Sequence, residues 1–228
     1  MLYELHEMQR AFLRPLAAFT DASSAFFRRS LGPGRDHAAM VCAAAQLLPA
    51  RPGGEAVMKE LLIVWHSRTG AARQLSEASE IGALNTAAEL GHDDDFRVRR
   101  LQAHEAQGPD LIAADGFLFC APENLASLSG EMKAFFDRSY YAVLDRLAGR
   151  PYGIAVSAGS DGEGAVRQLE RICTGWRLAL IAPALIARNG AQTPEAILAP
   201  KNLDQDARAR AEELGGLLAA TLLLGATA

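Results

Sequence analysis

The stretch LLIVWHSRTGAARQLSEA, residues 61–78, changes character halfway along. Five apolar residues, 61–65, run into a small polar knot, His66-Ser67-Arg68-Thr69-Gly70, and an alanine-rich, helix-forming segment follows. A continuous apolar run of this kind is the pattern of a strand buried on both faces, as in a parallel sheet. The helix behind it leaves about four N–H groups without intrahelical partners and carries roughly half a positive charge at its start. A loop rich in Ser, Thr and Gly at that point can wrap those donors around an anion. Ser67 and Thr69 offer hydroxyls, and Gly70 lets the backbone bend close to a ligand. The same knot can instead cap the helix through Ser67 or Thr69. Neither G-x-x-x-x-G-K-[ST] nor G-x-G-x-x-G is present, so a single phosphate is the better match than a P-loop nucleotide or a dinucleotide.

Outward from this stretch the strand–helix rhythm repeats. FRVRRL (96–101) alternates as a shorter strand, and GFLFCAP (116–122) is an apolar run ending in proline. YGIAVSAG (152–159) runs from a strand into a Gly-rich loop, and LALIAPALIAR (178–188) reads as a fifth strand. The helix after Gly70 carries Leu75, Ala78, Ile81 and Leu84 on one face. Residues 129–147 place Met132, Phe136, Tyr140, Val143 and Leu147 together, residues 163–175 are helical, and 204–224 close the chain with Asp204 as N-cap. Apolar strands alternating with helices predict a doubly wound α/β domain over residues 58–228, in which ligands bind beyond the carboxyl ends of the strands. The loops after the first, third and fourth strands are therefore the candidate site.

The totals limit the alternatives. Half of the 228 residues are hydrophobic and the formal net charge is -4, which suits one well-buried domain and disfavours nucleic acid as a partner. Cys42, Cys120 and Cys173 are scattered with no C-x-x-C, so free thiols in a reducing cytoplasm are expected, not a disulfide framework or zinc site. No run approaches the roughly 18 apolar residues of a membrane span, and the N-terminus lacks a signal-peptide pattern. His6, His37, His92 and His104 lack ligand spacing, HDDD (92–95) reads as a solvated turn, and His66 caps the strand or touches a ligand.

HSRTGAARQL resembles the phosphate loop of flavodoxin-like proteins, roughly S/T-x-T-G-x-T. ADGFLFCAPENLASLSGEMKAFFDRSYY is similar to the second flavin loop and helix of the flavodoxin-like NAD(P)H-dependent FMN reductases, with P-E-N, S-G-x-M-K-x-F-F-D-R and Y-Y in register. SAGSDGEGAVRQLERI resembles their third loop. The resemblance covers about residues 59–190 and implies a flavodoxin-like five-stranded parallel sheet of order 2-1-3-4-5, with FMN as cofactor. It implies that Ser67, Arg68, Thr69, Gly70, Ala71 and Ala72 surround the phosphate. Pro122, Glu123, Asn124, Leu125 and Ala126 would border the isoalloxazine ring, largely through backbone, and Ala158, Gly159, Ser160, Asp161 and Gly162 would close its far side. The family's usual hydroxyl is missing at Ala72. A hydrogen bond to a charged group is worth about 1.5–3 kcal/mol, so its loss weakens binding by about 10- to 150-fold unless Arg68 or Arg73 compensates, and Ala72→Thr is expected to tighten FMN.

Neither PENLASLSG nor SAGSDGEG contains an aromatic residue. A flavin ring left uncovered leaves room for a nicotinamide or quinone, which favours an NAD(P)H-dependent oxidoreductase with a quinone-like small-molecule acceptor over a one-electron carrier or a flavin-free binding protein. The cofactor carries the chemistry, so no catalytic dyad is required, and Glu123 and Asp161 are the carboxylates to weigh. Asp137 and Arg138 are read as a surface or interface ion pair, one of Tyr140 and Tyr141 as core and the other as reaching a neighbouring subunit, and a homodimer or homotetramer is implied by the resemblance. Residues 1–57, rich in Pro/Gly breaks, read as a partly helical or flexible extension. Residues 1–27 resemble the start of intracellular polyhydroxyalkanoate depolymerases, without any G-x-S-x-G nucleophile elbow. A docking helix, a borrowed fragment and a translated extension ahead of Met58 all remain open for this segment.

Overall fold

The computed structural model describes residues 58–225. The N-terminal extension, with Cys42, His6 and His37, lies outside the described residues. The elements follow in the order β1 (Lys59–Trp65), α1 (Ala71–Glu89), β2 (Phe96–Gln102), α2 (Gly108–Ala113), β3 (Gly116–Asn124), β4 (Ser127–Leu128), α3 (Gly130–Val143), β5 (Pro151–Ala158), α4 (Glu163–Gly175), β6 (Ala179–Leu180), β7 (Leu185–Arg188), α5 (Pro194–Leu198) and α6 (Gln205–Leu224). The parallel sheet runs β2-β1-β3-β5, and both β6 and β7 pair with the far edge of β5. In sequence order of the main strands this is the expected 2-1-3-4-5. The fifth position is broken, because Pro183 has no N–H to give a ladder and separates β6 from β7. The antiparallel β4 was not legible as a strand in the sequence.

Side chains alternate across a strand, and β1 divides accordingly between two cores. Leu62 and Val64 join an aromatic layer under α3 and α4 that includes Phe117, Phe119, Phe135, Phe136 and Trp176. Leu61 and Ile63 join a layer under α1 and α6 built largely of Ala and Leu. That second layer lets two helices approach backbone to backbone. A Cβ on Gly215 would lie 1.9 Å from the Ser79 carbonyl oxygen, and one on Gly82 would lie 1.9 Å from that of Glu212.

This close approach corrects the expected buried face of α1. Its small residues, including Ser76, Ser79, Gly82 and Ala83, face inward, whereas Ile81 and Leu84 are exposed. In α3, Met132, Phe136 and Val143 are buried as expected, and Leu147 is buried just beyond the helix. Tyr140 and Tyr141 are both exposed, so neither is core. Asp137 pairs with Lys133 at 2.5 Å, whereas Arg138 donates to the carbonyls of Ala103 and Ala106; the expected Asp137–Arg138 pair is not formed. Asp204 caps α6, its carboxylate accepting from the Ala207 N–H at 2.7 Å.

Candidate functional site

The carboxyl ends of β1, β3 and β5 lie side by side in the centre of the sheet, and each leads into one of the three singled-out loops. Ser67 to Ala72 join β1 to α1, Pro122 to Ala126 form the tip of β3, and Ala158 to Gly162 join β5 to α4. The fold thus brings the three sets of predicted residues together at one edge.

The first loop is a turn built around Gly70, at φ +98°, the left-handed region where a side chain is strained. The Gly70 N–H donates to Ser67 Oγ at 3.0 Å. Ser67 therefore closes the turn and does not cap the deeper donors of α1, which has no side-chain cap and no acidic residue in its first turn. An uncapped N-terminus of a 19-residue helix keeps its partial positive charge for an anion. Arg68 and Arg73 are exposed, Arg73 Nε lying 3.7 Å from Glu77. Ala71 and Ala72 are buried, so neither presents a surface to the loop.

His66 ties this loop to the second. Its N–H donates to the Cys120 carbonyl at 3.0 Å, and its ring Nδ1 lies 2.9 Å from Oγ of the fully buried Ser129 at the start of α3. Burial pushes the imidazole pKa below its ordinary value; the nearby Glu131 opposes this, while Arg68 and His104 add to it. His66 is thus a structural link beside the candidate anion site.

The second loop is a two-residue hairpin between β3 and β4. Glu123 pairs with Leu128 and Asn124 with Ser127, leaving Leu125 and Ala126 at the tip with φ +52° and +56°. Two positive φ values match a type I′ turn, usually given to Asn and Gly. Two ordinary L-residues there hold strain of about 1–3 kcal/mol each, which the surroundings must fix. They do so through α4. Gln168 Oε1 accepts from Ser127 Oγ at 2.7 Å and from the Leu128 N–H at 2.8 Å, and a Cβ on Gly164 would lie 2.1 Å from the Ala126 carbonyl oxygen. The Leu125 side chain projects fully into solvent.

The third loop is held from both sides. Glu123 Oε2 accepts from the Gly162 N–H at 2.7 Å, joining the second loop to the third. Glu123 Oε1 is buried and has no hydrogen-bond partner among the described residues. On the other side, the Asn189 N–H donates to the Ala158 carbonyl and the Gly190 N–H to that of Gly159, while Arg188 Nε donates to the Asp161 carbonyl at 2.7 Å. Gly162 has φ +98°, and a Cβ there would lie 2.4 Å from Ile186 Cγ2. Ser160 and the Asp161 carboxylate are exposed.

Two further groups belong to the site. Gln74, one turn into α1, donates from Nε2 to the Gly70 carbonyl at 3.2 Å and to that of Lys201 at 2.6 Å, and accepts at Oε1 from the Leu203 N–H at 3.2 Å. The Lys201 N–H in turn donates to the Thr69 carbonyl at 2.7 Å. A strap from the segment before α6 therefore lies against the first loop. No motif marks Gln74, and Lys201 is 127 residues away from it in the chain, so neither was legible in the sequence.

Residues 93–192 match the family model of the NADPH-dependent FMN reductases, a span that contains the second and third loops but not the first. A probable NAD(P)H dehydrogenase (quinone) of Arabidopsis thaliana is 41% identical over 68 residues, which make up 29% of this chain and 25% of that one. The match thus spans about a quarter of that curated relative's length. Among solved structures, a flavodoxin from the domain Archaea superposes with a TM-score of 0.57 at 15% identity, over 72% of this chain and 98% of that one. An oxidoreductase from Corynebacterium diphtheriae does so with a TM-score of 0.56 at 19% identity, over 73% and 98% of the two chains. These likenesses show the flavodoxin-like fold.

Proposed function

We propose that the chain is an FMN-dependent oxidoreductase that passes electrons from NAD(P)H to a quinone or similar small acceptor. The observation that carries this reading is the edge where an uncapped helix N-terminus stands beside two hydrogen-bonded loops without an aromatic residue. The family match over 93–192 supports it from the sequence side. Residues 58–228 form the flavin domain in this reading, 1–57 an extension, and the cytoplasm the compartment. Among the described residues no helix is long and apolar enough to cross a membrane.

The residues present fit FMN. The first-turn donors of α1 with the Ser67 and Thr69 hydroxyls suit a phosphate dianion, and the orphaned Glu123 Oε1 suits the imide N–H of an isoalloxazine ring. Bound FMN would supply the hydride and electron chemistry. The chain's own part is positional. Glu123 and Gly162 fix the distance between the second and third loops, Gln168 holds the strained hairpin, and Gln74 with Lys201 holds the first loop. Leu125, the only large apolar side chain of these loops, stands fully exposed and leaves the edge open to a second substrate. The exposed pair Tyr140 and Tyr141, ring centroids 5.1 Å apart, supports a face for a second copy of the chain.

The test is reconstitution with FMN, followed by NADPH and a benzoquinone. Consumption of NADPH well above the rate with free FMN supports the reading. Tight FMN binding with no NAD(P)H oxidation would replace it with a carrier, and absent binding would remove the flavin altogether.

A further inference from the structure

A cavity of about 530 Å³ lies beyond the hairpin, between α3 and α4. Ala126, Gly164 and Ile172 form its apolar part, and Lys133, Arg167 and Arg171 bring three cations to it. Its volume falls within the usual range of small-ligand sites, roughly 300–1,000 Å³. This concentration of positive charge is unlike the chain as a whole, whose formal net charge is -4.

The two arginine charges are not spent on carboxylates. Among the described residues, Arg167 and Arg171 form no ion pair and no side-chain hydrogen bond, whereas Lys133 pairs with Asp137. Glu163, the acidic residue at the start of α4, is engaged by Arg188 at 3.1 Å. Arg167 and Arg171 are four apart on one helix, a like-charge spacing that costs a few tenths of a kcal/mol, and an anion between them would relieve it. Planar guanidinium groups suit phosphate oxygens through paired N–H donors.

The position fixes which anion. Ala126 and Gly164, in contact at the hairpin, form the end of the cavity nearest the candidate ring site, and Arg171 lies seven residues further along α4, about 10 Å at the usual helical rise. A ligand that enters here with one end at the ring must be extended, with its anionic group remote from its reacting end. A pyridine nucleotide has that shape, and only NADPH carries a phosphate monoester on its adenosine ribose. We infer that this groove binds the 2′-phosphate of NADPH through Arg167 and Arg171, with Lys133 as the third cation, and so selects NADPH over NADH. The inference rests on the proposed function for its ligand, and the groove itself is testable without flavin.

Calorimetric titration of the full chain with 2′,5′-ADP, 5′-AMP and inorganic phosphate tests it, together with an FMN titration of each protein. The wild type binds 2′,5′-ADP more tightly than 5′-AMP or inorganic phosphate, and added salt weakens that binding. The Arg167→Ala/Arg171→Ala variant loses about 10- to 150-fold in 2′,5′-ADP affinity, the weight of a charge-assisted bond to phosphate, while FMN affinity stays the same. In turnover the same variant shows a raised KM for NADPH and an NADPH/NADH selectivity ratio falling towards one. Arg167→Lys/Arg171→Lys retains an intermediate affinity. Equal affinity for 2′,5′-ADP and 5′-AMP in the wild type, an unchanged 2′,5′-ADP affinity in the variant, or equally strong binding of inorganic phosphate overturns the assignment. Loss of FMN binding in the wild type with 2′,5′-ADP binding intact refutes the flavin reading and leaves the groove standing; the reverse result does the opposite.

Discussion

Replacing Gln74 by Leu removes the amide knot that joins the first loop to the strap before α6 while keeping a side chain of similar size. The 2.6 Å bond to the Lys201 carbonyl and the 3.2 Å bond from the Leu203 N–H are the two that reach the strap; the 3.2 Å bond to the Gly70 carbonyl uses the other Nε2 hydrogen within the first loop and its helix, and the 3.4 Å approach of Arg208 Nη2 is long. Two net hydrogen bonds at about 0.5–1.5 kcal/mol each give a loss of about 1–3 kcal/mol, since the half-buried partners regain some water. For a domain of this size about 2–4 °C accompanies each kcal/mol, so the melting temperature should fall by about 2–12 °C. The Thr69 carbonyl would also lose its strap, and a loosened first loop should cost FMN about tenfold in affinity. Thermal melts and fluorescence titration with FMN measure both. A melting temperature within a degree of wild type together with unchanged FMN affinity would show that the strap does not hold the loop.

Four shorter expectations follow from the same geometry. Gly215→Ala drives a methyl to 1.9 Å from the Ser79 carbonyl oxygen and should force α1 and α6 apart, lowering stability by about 1–3 kcal/mol or more in urea unfolding. Because burial lowers the folded pKa of His66 from its ordinary 6.5, the unfolded chain takes up the proton first as pH falls. The stability linked to His66 is complete above pH 6.5 and lost as pH drops from there to the folded pKa, and His66→Asn should flatten that part of a stability–pH curve. Burial raises the pKa of both Cys120 and Cys173, so neither should react with a thiol reagent until the protein unfolds. Ala72 has no exposed surface, so Ala72→Thr must find room for two heavy atoms; a melt should show a loss of about 1–3 kcal/mol even where FMN titration records tighter binding.

The apolar runs at 61–65 and 116–121 were enough to give the parallel sheet, because a strand buried on both faces needs no periodicity beyond continuous hydrophobicity. The convergence of the three loops followed from the alternation of strands and helices, whereas the strand order came from the family resemblance. The fold of α1 was less legible. Leu75 and Ala78 point inward, yet Ile81 and Leu84 do not, since the glycines of α6 let the small face of α1 come closer than any leucine face could. A hydrophobicity pattern records which residues avoid water and carries no information on the shape of the partner helix.

By itself the sequence determined what depends on neighbours along the chain: the polar knot at 66–70, the glycine that turns it, the helix start after it and the absence of aromatic residues in the second and third loops. The tertiary structure alone decided the long-range ties. Glu123 meets Gly162, Gln74 meets Lys201, and Arg167 faces Lys133 across a cavity only because the sheet order sets their elements side by side. Such pairings are set by the spacing of β1, β3 and β5 and by which helix covers which face, and those distances are properties of the packed molecule.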